Sequence, residues 1–417
     1  MPQITNNKLL AVKTYASDIT DKFKSHNNNL KVEMNKADKY IKYQAITLSN
    51  NYNELLTGNY SRGKLIWLIA VRISMVGAFC LGFISANVNH PVVSELTLNV
   101  VNYFGDKFLV GTMLGIVMLS GIIFEYICTY HKRTGILHFA KLMYYIKFNL
   151  VKYPLSDYQR QIISYKLSVL IYFNKQLLAT VLCVDCLAAF SIAVFELYRE
   201  FNLFKLVISI MFQVGVLLCA IEMSAILCFG NIMVYLINAY LKAKFLEIHN
   251  KIHLSIVWCN PRQLSRAIVE HNYYEVWVRH VNVIQRIIVF IMYYIYSIGV
   301  ELCIYSVHKD NTTLFGRILM GLAIVFIYCV IFSLSFVLLW IPKSAHKPYG
   351  LLLSYMSKTP VLSLRERLNV MAFIERLSPT APPIGYYCYD LFPFNSYEFY
   401  QFIRISASNY LLLMNLF

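Results

Sequence analysis

Long apolar runs separated by polar, basic stretches set the rhythm of this chain. The runs are Leu65–Ala86, Leu109–Tyr130, Leu177–Tyr198, Leu206–Ile237, Ile287–Val307, Ile318–Ile341 and Ser396–Phe417. About 20 apolar residues cross a bilayer as a helix, so the pattern predicts seven membrane-spanning helices. The fourth run is long enough to project beyond the membrane. The last spans about 33 Å at the helical rise, one membrane thickness. It opens on Pro393-Phe394-Asn395, where Asn395 can cap the helix with Glu398 three residues on. A chain that stops at Phe417 inside an apolar run is expected if that helix reaches the outer surface of a membrane.

The stretches between runs keep helical periodicity. Residues 27–57 read as an amphipathic helical lead-in to the first span. Ile248, Ile252, Ile256, Ile268, Val276 and Val283 recur at helical spacing, so spans four and five should continue as helices beyond the bilayer. In "LSLRERLNVMAFIERL", Leu364, Leu368, Met371 and Ile374 share one face, while Arg365, Glu366 and Arg376 do not. Pro379, Pro382 and Pro383 end that helix. The fold class predicted is an all-α membrane protein with a cytoplasmic helical anchor bundle. Its segments are 1–64 (cytoplasmic), 65–341 (spans one to six with their extensions), 342–395 (anchor) and 396–417 (last span).

Charge sets the orientation. Of 38 Lys and Arg, 30 lie in residues 1–64, 131–166, 239–286 and 342–395, against 5 in the alternate loops 87–108, 199–205 and 308–317. Positive charge is retained inside, so the N-terminus is expected in the cytoplasm and the C-terminus outside. The sequon Asn311-Thr312-Thr313 then falls in an outer loop, where glycosylation is possible. That orientation is the reverse of a G-protein-coupled receptor. No inverted repeat supports a transporter.

Composition adds to this picture. Hydrophobic residues make up 58% of the chain and charged ones 14%, too apolar for an ordinary soluble domain. The net charge of +16 comes with no nucleic-acid-binding motif and fits basic loops facing an anionic leaflet. No signal peptide precedes the first apolar run. His249 and His253 have zinc-ligand spacing but lack a third ligand. Phosphate-binding and nucleophile-elbow motifs are absent, so no enzyme and no cofactor are expected.

Arg72, Asp185, Glu222, Glu301 and Arg404 lie within apolar runs, where an ionisable group is costly and therefore informative. One reading pairs them between helices. The other places them in a ligand cavity, with Asp185 beside Phe190 on span three, Gln213 on span four, and Tyr293, Tyr296 and Phe326 supplying aromatic walls. On the last helix Phe402, Ser406, Asn409, Leu413 and Leu416 fall on one stripe, with Phe417 at its edge. The stripe turns from mixed polar to apolar toward the outer end, which suits a wet pore closed by a hydrophobic constriction. Arg404, Ser408, Leu411 and Asn415 lie opposite.

The C-terminal segment ending "SASNYLLLMNLF" resembles the signature of the insect gustatory receptors, which end in Thr-Tyr, five apolar residues and Gln-Phe. Asn409-Tyr410, Leu411–Asn415 and Leu416-Phe417 occupy those places, departing from the pattern at Asn409, Asn415 and Leu416. The resemblance implies a homotetramer or heterotetramer with one central pore lined by the last helix, and a small-molecule pocket in each subunit. It implies a ligand-gated, non-selective cation channel in the plasma membrane of sensory neurons, opened by a tastant. An odorant-receptor subunit needing a coreceptor is the nearest alternative.

Overall fold

Where the fourth apolar run meets Asn238, the chain does not turn. It continues as one helix, and the packed core is built around that extension. The computed structural model describes residues 155–199, 203–290, 293–294, 297–308, 314–358, 363–388 and 391–416, with isolated helical positions between 66 and 84. The elements are α1 (Asp157–Arg199), α2 (Leu203–Val257), α3 (Pro261–Phe290), α4 (Ser297–His308), α5 (Leu314–Leu338), α6 (Trp340–Ala345), α7 (Tyr349–Lys358) and α8 (Leu364–Leu377). A hairpin of β1 (Tyr387–Cys388) and β2 (Phe392–Pro393) follows, then α9 (Ser396–Leu416). Expected spans three and four lie within α1 and α2. Span five covers the end of α3 and α4, span six covers α5 and reaches α6, and the last span is α9. Span two and the lead-in at 27–57 lie outside the described residues.

The mostly helical architecture agrees with the sequence reading, and the hairpin is an addition to it. The helical run Gly316–Ser357 holds a stretch long and apolar enough to cross a membrane. On α5, Leu314, Ile318, Leu322 and Val325 are all exposed along one stripe, and Val207, Ile210, Met211 and Val214 repeat this on α2. Apolar stripes of that size need an apolar medium or a partner.

α2 and α3 form a helical hairpin. The Asn260 amide donates to the Ser255 carbonyl and the Cys259 amide to that of Ile256, which is the Schellman closure. It forces Cys259 into the left-handed region at φ 48°. Asn260 then caps α3, its Oδ1 accepting from the Gln263 amide at 3.1 Å, and Pro261 takes the first helical position. Phe245, Ile248 and Ile252 of α2 pack with Leu264, Ile268 and Val278 of α3, Ile341 and Ala345 of α6, Leu352 of α7, and Val370, Phe373 and Leu377 of α8. These residues belong to one packed core.

Helix α8 corrects one expectation. It begins with a capping box, in which the Ser363 hydroxyl accepts from the Glu366 amide and the Glu366 side chain reaches back to the Ser363 amide. The face it buries is Val370, Phe373 and Leu377, while Leu364, Leu368 and Met371 are exposed. The helix carries two apolar stripes, and the aromatic one fills the space beside α3. Val276 and Val283 of α3 are likewise exposed.

Candidate gating site

Helix α9 is fixed at its N-terminal end by three devices. The first is local: Asn395 Oδ1 accepts from the Glu398 amide at 2.9 Å, capping the helix. The second is the hairpin just before it, paired antiparallel with Tyr387 opposite Pro393 and Cys388 opposite Phe392. The Phe394 amide extends that ladder to the Tyr386 carbonyl at 2.7 Å. The Tyr387 amide is tied to α3 by Asn282 Oδ1 at 2.9 Å. At Gly385 the chain passes so near α6 that a Cβ would stand 2.7 Å from the Pro342 ring, so a side chain is excluded there.

The third device is aromatic. A π-helical turn at Tyr293–Tyr294 joins α3 to α4, with the Ser297 hydroxyl donating to the Tyr293 carbonyl. Such turns re-aim a side chain, and here Tyr293 points into the core at 3% exposure. The Ser335 hydroxyl donates to the Ile331 carbonyl at 2.6 Å, so the Tyr293 hydroxyl is the donor in its 3.0 Å bond to Ser335 Oγ. The Tyr293 ring meets Phe394 edge-on at 5.2 Å and Phe402 at 4.2 Å. On α5, Phe332 meets Phe399 at 5.7 Å and Phe336 meets it at 6.4 Å. Edge-to-face pairs add about 0.5–1.5 kcal/mol each beyond the area they bury. Rotating α9 about its axis would break the contacts that Phe399 and Phe402 make.

Behind the mount lies a polar pair that the periodicity did not reveal. His271 is fully buried between the rings of Phe245 and Phe373, each 4.9 Å away, with Nε2 3.0 Å from the Ala345 carbonyl. Burial pushes its pKa down to about 4, outweighing the Ala345 bond and the nearby Glu275. The neutral ring therefore donates from Nε2. His346 Nε2 accepts from the Ile384 amide at 3.0 Å, which leaves its Nδ1 to donate to the Leu377 carbonyl, also at 3.0 Å. That ring ties α8 to the strand leading into α9. Burial pushes the Cys388 thiol up to about 11, so it stays an unreactive thiol.

The sequence-derived site residues fall in different places. Phe402, expected on the pore stripe, packs on Tyr293 of the same chain, and Ser406 is half-buried on the same side. Arg404, Ser408 and Leu411 are exposed on the opposite side. The reason is the aromatic mount, which turns the N-terminal half of that stripe toward α4 and α5. Asn409, Leu413 and Leu416 take positions in the C-terminal half of α9, while Phe417 lies outside the described residues. Of the pocket residues, Tyr293 belongs to the mount and Phe190 is exposed on α1. Asp185, Gln213 and Phe326 take positions on α1, α2 and α5, while Tyr296 and Asn311 lie outside the described residues. Among the described residues no group of three or more His, Cys, Asp or Glu could hold a metal ion.

No protein-family model matches the sequence, and no curated protein matches it. Solved structures do share its fold. The insect olfactory receptor OR5 from Machilis hrabei in complex with eugenol superposes with a TM-score of 0.65, covering 94% of this chain and 100% of that one at 10% identity. A second structure of the same receptor gives 0.57, covering 86% and 90% at 12% identity. That receptor is of the superfamily that includes the gustatory receptors. At such identities the likeness is one of fold.

Proposed function

We propose that this chain is a chemosensory receptor subunit forming a ligand-gated, non-selective cation channel, tetrameric around a central pore lined by α9. The observation that carries the reading is the end-to-end fold likeness to an insect olfactory receptor solved with a small organic molecule bound. The C-terminal motif favours the gustatory branch and a tastant as ligand. The chain would cross the plasma membrane of a sensory neuron seven times, with its N-terminus in the cytoplasm. Asn409, Leu413 and Leu416 in the outer half of α9 form the pore face, with Phe417 next beyond them in the sequence, and Asp185, Phe190, Gln213, Tyr296 and Phe326 contribute to a pocket among the spans. The exposed stripe of Leu364, Leu368 and Met371 on α8 supports a subunit contact in the anchor bundle, since an apolar stripe in water is otherwise a liability.

Expression of this chain alone in a cell line, with excised inside-out patches challenged by a panel of tastants and odorants, tests the reading. Ligand-evoked cation current without nucleotides or G protein is the expected result. Current that appears only with a second, co-expressed receptor would place the chain on the odorant branch. Substrate flux without channel-sized currents would overturn the channel.

A further inference from the structure

Three helices bring lysines together where the expected spans leave the bilayer. Lys242 of α2 lies five residues beyond Ile237, about 7 Å past the end of the fourth apolar run at the helical rise. Its Nζ stands 4.3 Å over the ring of Trp340, and Lys166 Nζ of α1 stands 5.6 Å over the same ring. Trp340 opens α6 beside Ile341, the last residue of the sixth run, and meets Tyr235 edge-on at 5.9 Å. Tryptophan at that depth marks the headgroup layer. Lys343 follows on the same face of α6. We propose that Lys166, Lys242 and Lys343, gathered around Trp340, bind the phosphorylated headgroup of an inner-leaflet phosphoinositide. The proposal rests on the membrane orientation argued above.

Charge supports it. Burial, then Lys166 and Lys343, lower the proton affinity of Lys242, so these ammonium groups feel one another. Among the described residues no carboxylate pairs with any of the three. The carboxylate nearest in sequence to Lys242, Glu247, is taken up by Lys244 at 2.9 Å and Lys251 at 3.3 Å. A repelling trio is relieved by a polyanion. Phosphomonoesters carry about 1.5 to 2 negative charges each at neutral pH, and lysines suit them as compact point charges. Phosphatidylserine brings an ammonium of its own and a net charge of only one, a poorer match for three cations. Farther from the bilayer, Lys347 and His253 add positive field at His249, whose pKa is lowered by burial first and by both neighbours. The basic strip thus continues toward the cytosol. Lys166 and Lys343 are exposed, so a headgroup can reach them without rearrangement.

The test is binding of fluorescent short-chain phosphatidylinositol bisphosphate to the purified full chain in phosphatidylcholine nanodiscs. Wild type should bind, and Lys166→Gln with Lys343→Gln should weaken binding at least about tenfold, since each surface cation near a membrane contributes several-fold. Both side chains are exposed, so the fold should survive. Lys166→Arg with Lys343→Arg should retain binding, and Lys251→Gln, which removes a lysine already paired with Glu247 and Glu270, should leave it unchanged. Added salt should weaken binding through screening. Equal binding by wild type and the double Gln variant, or displacement by inorganic phosphate as readily as by unlabelled bisphosphate lipid, overturns the proposal. The assay reads no current. Binding in a chain that conducts nothing leaves this site standing and removes the channel; current without binding does the reverse.

Discussion

His271 should make the anchor bundle sensitive to acid. The folded state holds its pKa at about 4 against 6.5 for the free imidazole, because protonation would bury a charge between Phe245 and Phe373. Between those values the unfolded chain binds the additional proton, so stability is full above pH 6.5 and is lost as pH falls toward 4. That difference amounts to about 3 kcal/mol, most of it lost by pH 4.5. For a bundle of this size that is about 5–10 °C in melting temperature. His271→Gln keeps a donor for the Ala345 carbonyl but does not titrate. Thermal melts of detergent-purified protein at pH 7.5 and 4.5, read by size-exclusion fluorescence, compare the two. The variant should be less stable at pH 7.5, having lost the ring between two aromatics, yet fall by about 5–10 °C less on acidification. Parallel decline of both proteins would refute the account of a buried neutral His271.

Two further substitutions probe the mount of α9. Tyr293→Phe removes the hydroxyl donor to Ser335, at a cost of about 1 kcal/mol; it should shift the half-maximal ligand concentration a few-fold while surface expression, measured by biotinylation, stays near normal. Gly385→Ala puts a methyl group 2.7 Å from the Pro342 ring, and rings do not yield, so it should cost about 1–3 kcal/mol and lower the yield of assembled protein on size-exclusion chromatography.

Helices α1, α2, α5 and α9 were legible because each carries a sustained apolar run, and α3 because Ile268, Val276 and Val283 recur at helical spacing. The start of α9 was legible because Asn395 and Glu398 have the spacing of a cap. Periodicity failed where a helix has two apolar faces: α8 shows Leu364, Leu368 and Met371 on one stripe and Val370, Phe373 and Leu377 on another, and only the space beside α3 chooses between them. It failed again on α9, where the stripe through Phe402 and Ser406 is one face by arithmetic, but Tyr293 claims its N-terminal half. His271 gave no signal, since a lone histidine amid polar neighbours reads as solvated. The hairpin strands are two residues each, too short for alternation to register, and the Cys259 turn needs a left-handed residue at a position with neither Gly nor Asn.

The central claim is that α9 lines a pore, and cysteine scanning from 402 to 417 with a permeant thiol reagent tests it most directly. Current should be blocked at Asn409, Leu413, Leu416 and Phe417 with helical periodicity, and Leu413→Ser or Phe417→Ala should raise ligand-independent current by wetting an apolar constriction. Phe402, seated on Tyr293, should react poorly. Block that peaks instead at Arg404, Ser408 and Leu411, the exposed side of α9, would place the pore on the opposite face, and no block anywhere along the helix would contradict the pore itself.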